Sequence, residues 1–252
     1  MREIRSRQNE EIKAVAKLKL QKERKKRKLF IAEGFRTCET LSKLITPEAI
    51  YCTESMISQA KQIAPEEKVT LVSAQVMEKI SSATSPSGIL GVFPIPSTPD
   101  FEKLSSGIIL TQIADPGNMG TLIRTTAAMG HKSVVIVEGA DPWSPKVIQS
   151  TVGTIGHVQI FQVTWEQIIK NKKDLKLVAL VAKDGKTPSE INLEDSSKSL
   201  KDSLIVVGSE AHGIPQDWVD NCEEKLTLEM PGKTESLNAA VAGSIALYLA
   251  RE

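Results

Sequence analysis

Six short runs dominated by Val, Ile and Leu follow one another through residues 107–230: GIILTQIAD, SVVIVEG, VQIF, KLVALVA, SLIVVGS and KLTLEM. Strands this uniformly apolar need cover on both faces, which is the situation of a parallel sheet in an α/β protein. Helical candidates lie between most of the runs, and the longest closes the chain within MPGKTESLNAAVAGSIALYLARE. A doubly wound α/β domain is therefore predicted. Such sheets bind ligands beyond the carboxyl ends of their strands, so the polar residues at those ends are the place to look for function.

Upstream of the six runs, LFIAEG, AIYCTE, VTLVS and GILGVF read as strands, and FRTCETLSKLI and AQVMEKISS as helices. This is a second, smaller α/β domain. The two are separated by FPIPSTPDFEKLSSG, where prolines 94, 96 and 99 exclude regular structure. The expected division is a domain over residues 1–93, a linker over 94–101 and a larger domain over 102–252.

The chain carries a net charge of only +1, yet its first 28 residues hold 12 Lys/Arg against 4 Asp/Glu. The run LQKERKKRK supplies most of the excess through Lys22, Arg24, Lys25, Lys26, Arg27 and Lys28. Two readings stand side by side: a solvated helix, or an arm that gains by releasing counterions from a polyanion such as RNA. Other bulk features narrow the class. No apolar run reaches the ~18 residues of a membrane span. The opening MREIRSRQNEE lacks the apolar core of a secretory leader. Cys38, Cys52 and Cys222 are odd in number and far apart, which suits neither a disulfide framework nor a zinc site. A cytoplasmic protein with no metal and no membrane partner is expected.

Three strand ends carry unusual polar residues. In IADPGNMGTLIRTTAAMG, Asn118 can cap a helix from Met119; Met119, Leu122 and Ile123 face the core, and Arg124 sits among Thr121, Thr125 and Ala128. A surface salt bridge is the plain alternative for Arg124. The dinucleotide fingerprint fails there, since only Gly117 and Gly120 are present. In SLIVVGSEAHGIPQDWV, Gly208 and Gly213 have phosphate-loop spacing, but Ile214 replaces the lysine. Glu210 then either caps the next helix or touches a ligand. In the closing segment Gly232-Lys233-Thr234 is not a Walker motif, because the first glycine falls at Thr227. Ser236 is a capping candidate, Asn238 follows it, and Ala239, Ala240, Ala242, Gly243 and Ala246 permit close backbone approach.

Together the stretches resemble the three motifs of the SpoU-type, SPOUT-class RNA 2′-O-ribose methyltransferases, also called the TrmH family. The first matches as Asn118-x-Gly120-x-x-x-Arg124, the second as Gly208-x-Glu210-x-x-Gly213, and the third as Ser236-Leu237-Asn238 at the head of an apolar helix. The basic start and FIAEG strand are similar to the family's N-terminal ribosomal-protein-like RNA-binding domain. The resemblance implies a deep trefoil knot, an exception to the rule against knots, together with a homodimer and S-adenosylmethionine as cofactor. Carried over residue by residue, it puts cofactor contacts on Gly208, Gly213, Leu228, Met230 and Leu237. It puts the chemistry on Asn118, Arg124, Glu210, Ser236 and Asn238. The sequence departs from the pattern at Leu228-Glu229-Met230, Gln149 and Ala211, which bears on substrate identity.

Methylating a ribose hydroxyl gains from alignment and from stabilising the forming alkoxide. A guanidinium accepts protons poorly, so Arg124 is expected to clamp phosphate and stabilise the oxyanion, while Asn118, Ser236 and Asn238 orient the ribose and Glu210 fixes its loop. Ribosomal RNA is the first expected substrate and transfer RNA the second. The alternatives are a nucleotide-binding oxidoreductase, opposed by the failed nucleotide motifs, and a non-catalytic RNA-binding protein.

Overall fold

The separate burial of two sheets divides the chain. The computed structural model describes residues 1–194, 200–232 and 236–251, and they form two units: Met1–Ser97 with Asp141–Gly156, and Thr98–Ala140 with His157 onward.

In the first unit β1 (Arg2–Ile4), α1 (Glu10–Lys17), α2 (Gln21–Arg27), β2 (Leu29–Glu33), α3 (Phe35–Ser42), β3 (Ala49–Cys52), α4 (Ile57–Ile63), β4 (Val69–Val72), α5 (Ala74–Ile80) and β5 (Ile89–Pro94) follow in order. Their strands make a mixed sheet, β1-β4-β3-β5-β2. β1 and β3 run parallel to β4, and β5 is antiparallel to both β3 and β2. Ile12, Val15, Leu18, Ile31, Val76 and Met77 meet in its core. Pro94 ends β5 opposite Leu29, so the strand enters the proline-rich stretch by one residue; a strand-terminal proline interrupts no interior ladder. The basic run folds as α2 and stops at Lys28, whose left-handed backbone (φ 55) lets its N–H donate to Arg24 O at 2.8 Å.

The second unit opens with β6 (Gly107–Thr111), α6 (Pro116–Ala128) and β7 (Ser133–Val137). The chain then supplies α7 (Pro145–Thr151) to the first unit, where it packs on β2 and α3. It resumes with β8 (Gln159–Gln162), α8 (Trp165–Asn171), β9 (Lys176–Leu180), α9 (Pro188–Glu194), β10 (Ser203–Val207), α10 (Gln216–Val219), β11 (Glu224–Leu226) and α11 (Ala239–Leu249). Each of the six apolar runs contributes to a strand of one parallel sheet, β11-β9-β10-β6-β7-β8, KLTLEM only through Lys225 and Leu226. Every residue of β6, β7 and β10 is buried, as cover on both faces requires. The strand order reverses at β6, which lies between β10 and β7. The carboxyl ends of β9, β10 and β6 therefore stand side by side at a topological switch point.

The closing helix α11 packs on α6 and β10. Ala239, Ala240, Gly243 and Ala246 form its buried side. A side-chain carbon at Gly243 would stand 2.6 Å from Leu122 Cδ2 and 3.2 Å from Val207 Cγ2. Glycine here sets how closely the helix lies on its neighbours. Among the described residues, no helix is long and apolar enough to cross a membrane.

Candidate active site

The loop after β6 shows how one polar side chain is released for function. α6 starts at Pro116, three residues before the expected start, with Asp115 as its N-cap: Asp115 Oδ1 accepts from Asn118 N at 2.8 Å. Proline suits the first helical position because that N–H has no partner within the helix. Asn118 is thus not the cap, which corrects the sequence reading, and its carboxamide is available elsewhere. Its Nδ2 donates to Glu210 Oε1, and its Oδ1 accepts from Asn238 Nδ2 at 3.2 Å. Asn238 Oδ1 in turn accepts from Ala240 N at 2.9 Å and Val241 N at 3.3 Å, which makes Asn238 the N-cap of α11. Ser236 does not take that role. The amide orientations follow from chemistry: a carboxylate accepts only, so Asn118 must turn its NH2 to Glu210 and its oxygen to Asn238.

Glu210 is held by a tight loop. Gly213 N donates to Ser209 O at 2.9 Å, Gly213 has φ +68, and a side-chain carbon at Gly208 would fall 2.2 Å from Gly213 C. Residue 208 therefore cannot carry a side chain while the loop keeps this path. Glu210 does not cap α10, whose N-cap position is Pro215 with no side-chain bond. Ile214, in place of a phosphate-loop lysine, packs against the apolar core.

These loops surround a cleft of about 440 Å³. Residues 180–182 after β9, 207–210 and Gly213 after β10, and Leu228 and Met230 after β11 line it, with Ser236, Leu237, Asn238, Ala239 and Ala242. The five expected cofactor residues Gly208, Gly213, Leu228, Met230 and Leu237 are all in this lining, as are Glu210, Ser236 and Asn238. Leu180, Val207, Leu228 and Leu237 give it apolar walls, and Glu210, Ser236 and Asn238 supply polar groups. Among the described residues the main chain of residues 228–231 makes no backbone hydrogen bond, which leaves the amides of residues 228–230 and the carbonyls of 228–231 without a main-chain partner there. The wall from 180–182 was not foreseen. Its signal was the strand KLVALVA, but the adjacency of β9 to β10 is a property of the sheet and not of local sequence. Lys233 and Thr234 lie outside the described residues.

Arg124 is exposed on α6, makes no hydrogen bond or ion pair among the described residues, and is not part of the cleft lining. The surface salt bridge considered for it is not formed with any described residue. In the basic run Arg24 departs from expectation: it is 3% exposed, and its guanidinium bonds Asp141 Oδ2, Leu18 O and Lys19 O at 2.6–3.0 Å. With its donors spent internally it cannot face phosphate. Lys22, Lys25, Lys26, Arg27 and Lys28 are exposed.

Burial pushes the thiols of Cys38 and Cys222 up to about 12, which keeps both protonated and poorly nucleophilic. Among the described residues, no group of three or more His, Cys, Asp and Glu side chains is arranged to hold a metal ion.

The chain also matches known proteins in sequence and fold. The model of the SpoU rRNA Methylase family matches residues 105–248, and that of the MRM3-like substrate binding domain matches residues 9–91. The chain is 27% identical over 256 residues to the 23S rRNA (guanosine(2553)-2′-O)-methyltransferase RlmP of Bacillus subtilis (strain 168), with 98% of each chain covered. An AdoMet-bound rRNA methyltransferase from Sinorhizobium meliloti aligns with TM-score 0.85 and 25% identity, over 99% of this chain and 97% of that one. A crystal structure of an RNA 2′-O ribose methyltransferase aligns with TM-score 0.79 and 25% identity, over 98% and 97%.

Proposed function

This chain belongs to the SpoU rRNA methylase family, and we propose that it transfers a methyl group from S-adenosylmethionine to a ribose 2′-hydroxyl, in ribosomal RNA first. The observation that carries the reading is the Asn238–Asn118–Glu210 hydrogen-bond chain. It ties three strand ends together beside a cleft with apolar walls and main-chain groups that have no main-chain partner among the described residues. That cleft fits S-adenosylmethionine: a nucleoside needs apolar faces for its base, and main-chain donors and acceptors for its edge.

S-adenosylmethionine, when bound, supplies an electrophilic methyl group on a sulfonium. The chain's own residues do the rest. Gly208, Gly213, Leu228, Met230 and Leu237 hold the cofactor. Ser236 and Asn238, on the polar rim, orient the ribose. Glu210 accepts from Asn118 through Oε1, and its part is to fix the loop and the amide. Arg124 stabilises the forming alkoxide and the adjoining phosphate from outside the cofactor lining. A guanidinium remains charged at any working pH, so this role is electrostatic.

The assembly is a homodimer. Val241, Ile245 and Tyr248 are 48%, 39% and 52% exposed and recur at helical spacing along α11, and an apolar stripe of this kind supports self-association. Membership of the SpoU family supports a trefoil knot at the carboxyl end, where α11 is seated on α6 and β10. The first unit serves as the RNA substrate domain, with the cations of α2 on its surface, and the protein works in the cytoplasm.

Two measurements on the full chain test this function. Calorimetry is expected to register S-adenosylmethionine binding. A map of 2′-O-methyl positions is expected to lose a ribosomal RNA site when the gene is deleted. Absence of binding heat together with an unchanged map would overturn it.

A further inference from the structure

The six cations of LQKERKKRK occupy four different environments. Arg24 is buried: its Nε and Nη2 donate to Asp141 Oδ2 at 3.0 and 2.6 Å, and its Nη1 donates to Leu18 O and Lys19 O at 2.8 and 2.7 Å. Asp141 is itself fixed, since its Oδ1 accepts from Trp143 N at 3.0 Å. Arg27 pairs with Glu23 at 3.5 Å. Lys28 has left the helix. Lys22, Lys25 and Lys26 are exposed, with no ion pair or hydrogen bond among the described residues.

At about 100° per residue, Lys22 and Lys26 lie about 160° around the helix from Arg24, and Lys25 lies beside them. Turning Arg24 inward thus turns these three lysines outward on one face, at i, i+3 and i+4. Like charges at that spacing repel. A seven-residue helix is also too short to persist without tertiary support. The molecule nonetheless keeps this helix, and does so with a buried ion pair whose partner comes from 117 residues away. A concentrated cationic face held by an internal anchor suits a polyanion, because each phosphate contact releases condensed counterions.

We propose that Arg24 and Asp141 are a positioning pair that holds α2 with Lys22, Lys25 and Lys26 outward as a docking surface for RNA phosphates. The inference rests on the reading that this protein acts on RNA, and it narrows the docking residues to three of the six cations.

The test uses the full chain and a fluorescent single-stranded oligouridylate, with affinity measured across a salt series. Changing Lys22, Lys25 and Lys26 together to Gln is expected to flatten the salt dependence by about two units of slope. Asp141→Asn is expected to weaken RNA binding about as much as the triple change, and to speed amide hydrogen exchange in residues 21–28. S-adenosylmethionine binding is expected to stay as it was in both, and in turnover assays the change should fall on KM for RNA and not on kcat. Because Asp141→Asn leaves a buried charge unpaired and risks misfolding, Arg24→Lys is the second variant. It keeps the charge but loses the planar fork that meets a carboxylate and two carbonyls together, and weaker RNA binding is expected again.

The outcomes separate cleanly. An unchanged slope in the triple variant overturns the docking surface. A flattened slope there, with unaltered RNA affinity in Arg24→Lys and in folded Asp141→Asn, overturns the positioning pair. Failure of the methyltransferase reading would instead appear as loss of cofactor heat in the unmutated protein.

Discussion

Asn118 is the residue at which three separated stretches of sequence become one site. It donates to Glu210 and accepts from Asn238, so the loop after β10 and the start of α11 are oriented through one carboxamide. Arg124, six residues on, is outside the cleft lining. This separation gives the first expectation: Arg124→Ala lowers kcat by about 10²–10³-fold, the scale of losing one oxyanion-stabilising group, and leaves S-adenosylmethionine affinity unchanged. Near-normal turnover in that variant would refute its assignment. Gly208→Ala is expected to act in the opposite way and weaken cofactor binding, since its new carbon meets Gly213 C at 2.2 Å and the loop must move; calorimetry with the unmutated affinity would count against it. Much of this site was legible in the sequence, because Gly208, Glu210, Ser236 and Asn238 all sit at strand or helix ends. The cap was misplaced because Pro116-Gly117 reads equally as a turn and as the first turn of a helix. Arg24 was misread for a different reason: in a run of uniform charge, nothing local says which cation finds a buried acid 117 residues away.

At the scale of elements, α11 has two faces with different work. Its small residues lie on α6 and β10, with Thr125 Oγ1 and Ser244 Oγ 3.0 Å apart, while Val241, Ile245 and Tyr248 stay exposed. Gly243→Val should crowd Leu122 and Val207, costing about 1–3 kcal/mol by overpacking and lowering Tm by several degrees, readable by calorimetry. Ile245→Arg should leave the fold intact and convert the proposed homodimer to monomer in sedimentation velocity; an unchanged sedimentation coefficient at matched concentration would exclude α11 as the dimer surface. The central strands β6, β7 and β10 were legible because burial on both faces leaves nearly uninterrupted Val/Ile/Leu runs. β1 was not, since only Ile4 of its three residues is buried and its neighbours are charged. α1 escaped as well, although Asn9 caps it through Glu11 N and Ile12 N, because the dense surface charge around it masked its two buried positions.

At the scale of the whole chain, the proline-rich stretch suggested two consecutive domains, 1–93 and 102–252. The observed first unit takes residues 1–97 and also 141–156. No shift of composition marks that return, since DPWSPKVIQST has the same helical patterning as the segments around it. Its packing explains why it belongs there. Trp143 is 6% exposed, lies 5.1 Å from the Phe30 ring and is followed by the fully buried Val147 and Ile148. A side-chain carbon on Gly153 would stand 2.7 Å from Thr37 O, so the segment's end is fitted to α3 as closely as its start is to β2. An isolated fragment from residue 98 onward would expose this whole surface. At about 1.5–3 kcal/mol for each large apolar side chain returned to water, Trp143, Val147 and Ile148 together represent on the order of 5 kcal/mol of lost burial. The fragment is therefore expected to aggregate and to bind a hydrophobic dye. The same fragment with Trp143, Val147 and Ile148 changed to Ser, Thr and Gln should remain dispersed and keep its cofactor cleft, because none of the three lines it. Light scattering, dye fluorescence and cofactor calorimetry on the two fragments decide the matter: equal dispersion would mean that residues 141–156 find other cover without the first unit, and failure of the polar fragment to bind S-adenosylmethionine would mean that the cleft depends on that unit's presence.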